Sequence, residues 1–388
     1  MKYTKFGDTG AIVSKLGFGC MRLPTVLING NSVVDEDAAI SMLRKGYELG
    51  INYFDTAYVY HDGMSEVILG KALSGIRDKV YVSSKSPGSH IKNKDDYRRI
   101  LEEQLKRLDI SYIDFYHFHG INYEEFTETD EKYGWYNAAL SAKEEGLIKH
   151  ISFSFHTGIP FNTRTKDDEE SDHMIKLIDT GNFETLLCQY NVLDQKNKRG
   201  MEYAKKKGMG VVVMGPLGGG RISGIPKDMV EKYNLKVSAS AELGLRFVAS
   251  NPNVDILLSG MSNETQVCEN VEYVSGITPL SEEETEGIKT MMDETKKLSD
   301  LYCTGCNYCM PCPNDVAIPT IFQQTNYYKI YGIKDYAKQS YKEIGSFAWS
   351  RGKRADACTE CGLCETKCPQ HLKIRDQLKE SHRLLSQK

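Results

Sequence analysis

Ile51-Asn52-Tyr53-Phe54-Asp55 is a short apolar run that closes on a carboxylate, and an amphipathic stretch of helical period (37–49) precedes it. The same unit recurs along the chain. Strands are expected at 16–20, 51–55, 80–85, 113–119, 151–154, 185–189, 210–214 and 256–259, with helical stretches such as 37–49 and 95–108 between them. Eight apolar runs alternating with helices over roughly 250 residues is the arithmetic of an α/β (β/α)8 TIM barrel. A doubly wound sheet is the alternative, but eight units and the lack of a Gly-x-Gly-x-x-Gly turn count against it. Ahead of the first strand, Tyr3–Phe6 and Ile12–Val13 flank Gly7-Asp8-Thr9-Gly10, the pattern of a hairpin placed to plug the closed end of the barrel. The first loop, 24–35, carries no informative motif.

The chain has 388 residues and a formal net charge of −4, with basic residues spread along it, so nothing argues for nucleic acid. Its N-terminus, MKYTKFGDTG, has no apolar signal core, and no apolar run approaches the roughly 18 residues of a membrane span. A cytoplasmic protein with no membrane partner is expected. After Pro279 the composition turns charged and helical (281–298). Two domains follow from this: residues 1–280, barrel and hairpin, and residues 281–388, mainly α-helical.

Eight of the eleven cysteines fall in that second segment. They form Cys303-x2-Cys306-x2-Cys309-x2-Cys312-Pro313 and Cys358-x2-Cys361-x2-Cys364-x3-Cys368-Pro369. The second run is the bacterial ferredoxin pattern for a [4Fe–4S] cluster, trailing proline included; the first is one residue shorter before its last cysteine. Two runs imply two clusters and a protein that handles single electrons. In two-cluster ferredoxins the cysteine before proline ligates the other cluster. That resemblance implies Cys303, Cys306, Cys309 and Cys368 for one cluster, and Cys358, Cys361, Cys364 and Cys312 for the other. Zinc is the competing reading, but four-cysteine zinc sites pair two Cys-x2-Cys knuckles. Disulfides do not suit a cytosolic chain. Cys20, Cys188 and Cys268 stand alone and are expected as buried thiols. The tyrosine-rich connection 321–350 is expected to be helical.

Barrel active sites sit at the C-terminal ends of the strands. Reading those ends gives Asp55, Lys85 and His119, with Tyr60 five residues beyond Asp55. Together they form a proton-donating set. A tyrosine is a weak acid, a neighbouring ammonium lowers its pKa, a carboxylate holds that ammonium, and a histidine orients a carbonyl. His117 lies on the same strand face as His119 and is expected to be a supporting barrel residue.

At these positions the chain resembles the aldo-keto reductase family. The matching segments are Phe54-Asp55-Thr56-Ala57-x-x-Tyr60, Ser84-Lys85, Asp114-x4-His119, Gln189-Tyr190-Asn191, Gly215-Pro216-Leu217-Gly218-Gly219-Gly220, Gly260 to Glu269-Asn270, and Lys15-Leu16-Gly17-Phe18-Gly19-Cys20-Met21-Arg22. They span residues 1–275. The resemblance implies Tyr60 as general acid, Asp55 and Lys85 as its tuning pair, and His119 as the orienting group. It also implies NAD(P)H laid across the barrel mouth. Contacts would come from Gly19, Cys20 and Met21; from Ser154, Gln189 and Met214 near the nicotinamide; from Pro216, Leu217, Gly218 and Gly220 near the pyrophosphate; and from Gly260, Ser262, Gln266, Glu269 and Asn270 on the adenosine side. Three features depart from the family. Phe155 and His156 follow Ser154 where Asn is usual. Met214 replaces a common aromatic. No Lys or Arg lies in 260–270, which leaves NADH against NADPH open, with Arg221 as a partial substitute.

Three functions fit. The first is a reductase that acts on a small carbonyl compound with NAD(P)H and carries a two-cluster relay. The second is a ferredoxin-type reductase whose clusters feed a substrate, a flavin or a redox partner protein directly. The third is a redox sensor or electron-carrier subunit. The substrate is not readable; Tyr58, Trp135 and Tyr136 are candidates to line an apolar pocket, with core packing the competing fate.

Overall fold

The computed structural model describes the chain except residues 29–30, 157–166, 221, 223–224, 226, 301–308, 348–349, 369–371 and 388. Cys303, Cys306, Pro369 and Arg221 lie outside the described residues.

Eight parallel strands close into a barrel: β1 (Leu16–Gly19), β2 (Tyr53–Asp55), β3 (Tyr81–Pro87), β4 (Ile113–His119), β5 (Ile148–Phe155), β6 (Thr185–Gln189), β7 (Gly210–Met214) and β8 (Ile256–Gly260). They are ordered as in sequence, and β8 returns to β1 with Gly260 opposite Gly19. The strands read as continuous apolar runs because both faces are covered. Alternation then divides their side chains between two cores. Phe54, Tyr116, Phe118, Phe153 and Val211 pack outward under the helices. Tyr53, Phe115, Leu187, Val212 and Ile256 pack inward.

The hairpin Tyr3–Lys5 with Ile12–Ser14 forms as expected. Phe6 follows its first strand, is fully buried, and meets Phe115 edge-on at 4.8 Å between ring centroids and Tyr53 at 5.9 Å. Gly7 adopts φ +52°, and a Cβ there would lie 2.3 Å from the Gly210 amide nitrogen, so this approach requires glycine.

Three local features add to these expectations or depart from them. The first loop holds a second hairpin, Thr25–Ile28 with Asn31–Val34; Val26, Leu27, Ile28 and Val33 are exposed and only Val34 packs on the core, so no burial pattern marked it. Cys268 is exposed, because the helix Glu264–Ser275 buries Val267, Val271 and Val274 on its opposite face. The stretch 321–350 forms two helices, Ile318–Lys329 and Lys334–Lys342, separated by a turn at Gly332 with φ +67°.

By contacts the chain falls into two compact units. One takes most of the chain up to Pro279; the other takes Leu280–Lys388 together with Gly220–Leu243. The second unit is mainly helical. Within it the helix Ile318–Lys329 is tied to Ile374–Leu385 by Thr325 Oγ1 donating to Ser381 Oγ at 2.7 Å, and Tyr341 pairs with His382 Nδ1 at 2.7 Å. No helix among the described residues is long and apolar enough to cross a membrane.

Candidate active site and cysteine site

Asp55 ends β2 and Lys85 lies near the end of β3, both facing inward. Lys85 Nζ donates to Asp55 Oδ1 and to the Thr56 carbonyl, each at 2.6 Å, and Ser83 Oγ donates to Asp55 Oδ2 at 2.6 Å. The two charged side chains are only 1% and 5% exposed. The ammonium lies 4.8 Å from the centre of the Tyr60 ring. Tyr60 in turn meets His119 edge-on at 6.2 Å between centroids. The structure thus brings together all four side chains singled out from the strand ends.

Local backbone fixes Tyr60. Its amide donates to Ala57 O at 3.1 Å, and His61, Asp62 and Gly63 then run through left-handed conformations (φ 50°, 53° and 87°) before the helix Met64–Leu73 begins. Two consecutive non-glycine residues there are costly and persist only where surroundings enforce them. The helix that follows carries Glu66, which is fully buried. It accepts from Ser84 Oγ (2.7 Å) beside Lys85, from Gln104 Nε2 (2.6 Å), and from Arg107 Nη1 (3.2 Å). Sequence reading missed Glu66, because an acid on a helix is normally solvated.

Burial works against charge on Lys85, but Asp55 and Tyr60 outweigh it and hold the ammonium above its ordinary pKa. Burial pushes the Tyr60 phenol up, and Lys85 pulls it back only in part. The expectation of a lowered phenol pKa is therefore corrected for this site. Donation stays feasible because an alkoxide is a far stronger base than a phenolate. His119 is held well below the usual histidine range by burial, then by Lys85, His156 and His117. It is a neutral imidazole, able to donate one N–H to a carbonyl.

His117 is fully buried one layer below His119, in register with Lys85 and Ser152, and among the described residues neither ring nitrogen has a hydrogen-bond partner in the normal range. Burial and Lys85 lower its pKa to about 3. His156 lies 6.4 Å from His119 between centroids; burial and Lys85 lower it to about 4. Unfolded, each of these rings takes up a proton near pH 6.5; folded, each resists it until far lower pH. The unfolded state then binds more protons, so stability falls on acidification from about pH 6.5 toward 4, by about 1.4 kcal/mol per pH unit for each ring. Urea midpoints of wild type and His156→Asn, compared at neutral and mildly acidic pH, measure one ring's share. Parallel curves for the two proteins would contradict it.

The mouth residues are less uniform. Gly19 ends β1, and Met21 is half exposed, but Cys20 is turned into the core with its carbonyl accepting from Ser65 Oγ at 3.0 Å, which leaves only its backbone for a ligand. Ser154 Oγ accepts from the Gly120 amide at 2.7 Å, and Gln189 Nε2 donates to Asp194 at 2.9 Å. Phe155 points into the outer core. Met214 lies against the inner core. Pro216 and Leu217 lead into Gly218, Gly219 and Gly220, which have φ of 57°, 72° and 97°. The Gly218 amide is bonded to Gly215 O at 2.8 Å, and small residues there let the backbone approach anionic oxygen closely. Gly260 ends β8. Beyond it the Ser262 amide donates to Gln266 Oε1 at 2.8 Å, Glu269 is exposed, and Asn270 is buried against Ser259 Oγ at 2.9 Å.

Arg22 is a cation that sequence reading passed over. Its stem fills the space above Gly260, where a Cβ would lie 3.3 Å away, and its Nη2 lies 3.2 Å from the place of a Gly219 Cβ. Two glycines far apart in sequence clear its path, so only the folded barrel places it beside the glycine run. These residues fit the phosphates of a dinucleotide.

Tyr58, Trp135 and Tyr136 are each engaged in packing contacts. Tyr58 donates to Glu103 at 2.9 Å beneath the Arg107 guanidinium, Trp135 is buried 4.6 Å from Phe118, and Tyr136 packs on Phe183.

In the second unit Cys309, Cys312, Cys358, Cys361 and Cys364 line one cavity, with Pro311, Pro313 and Gly362. These five include every cysteine of the second crossed set. Cys368 is buried and lies off that lining. Among the described residues no three ligating groups converge as a single-ion site requires. The Glu360 amide already points at Cys358 Sγ at 3.4 Å. A thiol-lined cavity with inward N–H groups suits an iron–sulfur cluster.

The closed barrel with charged groups at its strand ends is an oxidoreductase of the (β/α)8 class. The chain belongs to the aldo/keto reductase family, whose model matches residues 15–293, and a 4Fe-4S dicluster domain model matches residues 302–373. Among curated relatives, L-galactose dehydrogenase of Arabidopsis thaliana is 29% identical over 319 residues, covering 76% of this chain and 95% of that protein. A probable aldo-keto reductase 1 of Glycine max is 31% identical over 256 residues, 64% of this chain and 67% of that protein. Among solved structures, the holo form of the aldo-keto reductase AKR11C1 from Bacillus halodurans superposes with a TM-score of 0.60 at 27% identity, covering 75% and 96%.

Proposed function

We propose that the barrel reduces a small carbonyl compound with NAD(P)H, and that the second unit holds two [4Fe–4S] clusters for electron transfer. The observation that carries the first half is the buried Lys85 ammonium, bonded to Asp55 and facing the Tyr60 ring. When bound, the nicotinamide supplies a hydride to the carbonyl carbon. His119 donates its N–H to the carbonyl oxygen and orients it. The Tyr60 phenol gives its proton to that oxygen as negative charge develops there. Lys85 stabilises the resulting phenolate, and Asp55 keeps Lys85 charged. Ser154 and Gln189 would hold the carboxamide, and the glycine run with Arg22 the pyrophosphate.

The test is anaerobic turnover of the cluster-loaded protein with NADPH and with NADH, including polyhydroxylated carbonyls because of the likeness to an L-galactose dehydrogenase. Oxidation of neither nucleotide by any carbonyl, with clusters loaded, would overturn the reading. Arg22→Gln should weaken binding of both nucleotides about tenfold, measured by fluorescence titration, and the gap should narrow as salt rises. Cys361→Ser should abolish one cluster's visible absorbance and leave the barrel's thermal transition unchanged; retention of all the iron would remove Cys361 from the ligand set.

A further inference from the structure

Beside the cysteine cavity the second unit has an open hollow of about 830 Å³ lined by Asp315, Phe347, Arg351, Lys353, Arg354 and Asp356. Its three cations are exposed and face two carboxylates. Arg354 reaches Asp356 only at 3.8 Å, and Lys353 makes no ion pair among the described residues. Phe347 is 44% exposed at the hollow, so an apolar ring adjoins the cations.

The hollow's walls are hydrogen-bonded to each other and lead directly to the candidate cluster ligands. The Lys353 amide donates to Asp315 O at 2.7 Å, and Ala317 N returns a bond to Lys353 O at 3.0 Å. Asp315 N donates to Cys312 O at 2.9 Å on one side. On the other, the wall residue Ala357 precedes Cys358, whose amide donates to Ala355 O at 3.1 Å. Cys312 and Cys358 are both candidate ligands of the same cluster.

We propose that this hollow is the docking site of an acidic one-electron carrier protein, with the cluster held by Cys358, Cys361, Cys364 and Cys312 as the point of electron entry. The proposal rests on the cluster reading given above. A cationic surface around an exposed aromatic ring suits transient docking, where charge steers the encounter and a small apolar contact orients it. Short covalent paths from both walls to the cluster suit rapid transfer. In the step one electron leaves the reduced carrier and enters the cluster; the carrier is oxidised by one electron, the cluster reduced by one, and no bond or proton moves.

The test uses the full cluster-loaded chain and a reduced plant-type [2Fe–2S] ferredoxin of net negative charge, with cluster bleaching followed by stopped flow. Wild type should bleach at a rate that falls steeply with salt. The charge-reversed variant Lys353→Glu, Arg354→Glu should bleach about tenfold or more slowly at low salt and lose the salt dependence, with iron content and bleaching by dithionite unchanged. The milder Lys353→Gln, showing an intermediate rate, covers the case in which charge reversal impairs folding. Equal rates for wild type and variants with clusters intact would overturn the docking site alone. Millimolar phosphate binding that the variants abolish, without any change in ferredoxin rate, would make it a small-anion site and overturn the proposal. If iron and sulfide analysis finds no clusters in wild type, the cluster reading itself fails and the docking site with it.

Discussion

Tyr60→Phe is expected to lower kcat for carbonyl reduction by about 10² to 10⁴-fold, the range typical of a lost general acid. Nucleotide affinity and the iron–sulfur absorbance should not change. The substitution removes one oxygen and keeps the ring that lies 4.8 Å from Lys85 and 6.2 Å from His119, so the surrounding packing persists. What is lost is the proton that neutralises the developing alkoxide. Because burial already holds the phenol above its ordinary pKa, wild-type activity should persist into alkaline pH instead of failing near neutrality. The measurement is the pH profile of kcat for both proteins. Undiminished turnover by the phenylalanine variant would show that protons come from elsewhere, as they would if the clusters fed substrate directly.

Lys85→Met should destabilise the barrel by about 3–5 kcal/mol, beyond its effect on activity. Asp55 lies in a nearly dry site, and removing the ammonium strands its carboxylate with Ser83 as its one remaining side-chain donor among the described residues. The Thr56 carbonyl loses its bond from Lys85 as well. Adding Asp55→Asn to Lys85→Met should recover a large part of the loss, since a neutral amide is far cheaper to bury than an unpaired charge. Chemical denaturation of the single and double variants checks this, with the cluster-loaded state held the same in each. A single variant within 1 kcal/mol of wild type would mean the pair is hydrated and the site open, contrary to its geometry.

Much of the fold was legible because parallel strands covered on both faces must be apolar throughout, and such runs stand out between helical stretches. β4, β6 and β7 begin and end where their apolar runs do. β5 is longer than its reading, since Lys149 and His150 interrupt the apolar run, yet Ile148 and His150 pair with Ile113 and Phe115 of β4. The hairpin Thr25–Ile28 with Asn31–Val34 was invisible for the opposite reason: four of its apolar residues, Val26, Leu27, Ile28 and Val33, stay exposed.

Sequence by itself determined the barrel, the placement of Asp55, Lys85 and His119 toward its strand ends, and the cysteine runs, because each is set by local period or spacing along the chain. Tertiary structure alone decided what depends on residues distant in sequence. Glu66 can be buried just beyond the Tyr60 turn only because Ser84, Gln104 and Arg107 converge on it from β3 and a neighbouring helix. Arg22 reaches the glycine run only because Gly260 and Gly219 leave it room. His119 is neutral only because the barrel excludes water and sets Lys85 nearby. Desolvation and convergence are properties of packed volume, and one-dimensional order carries neither.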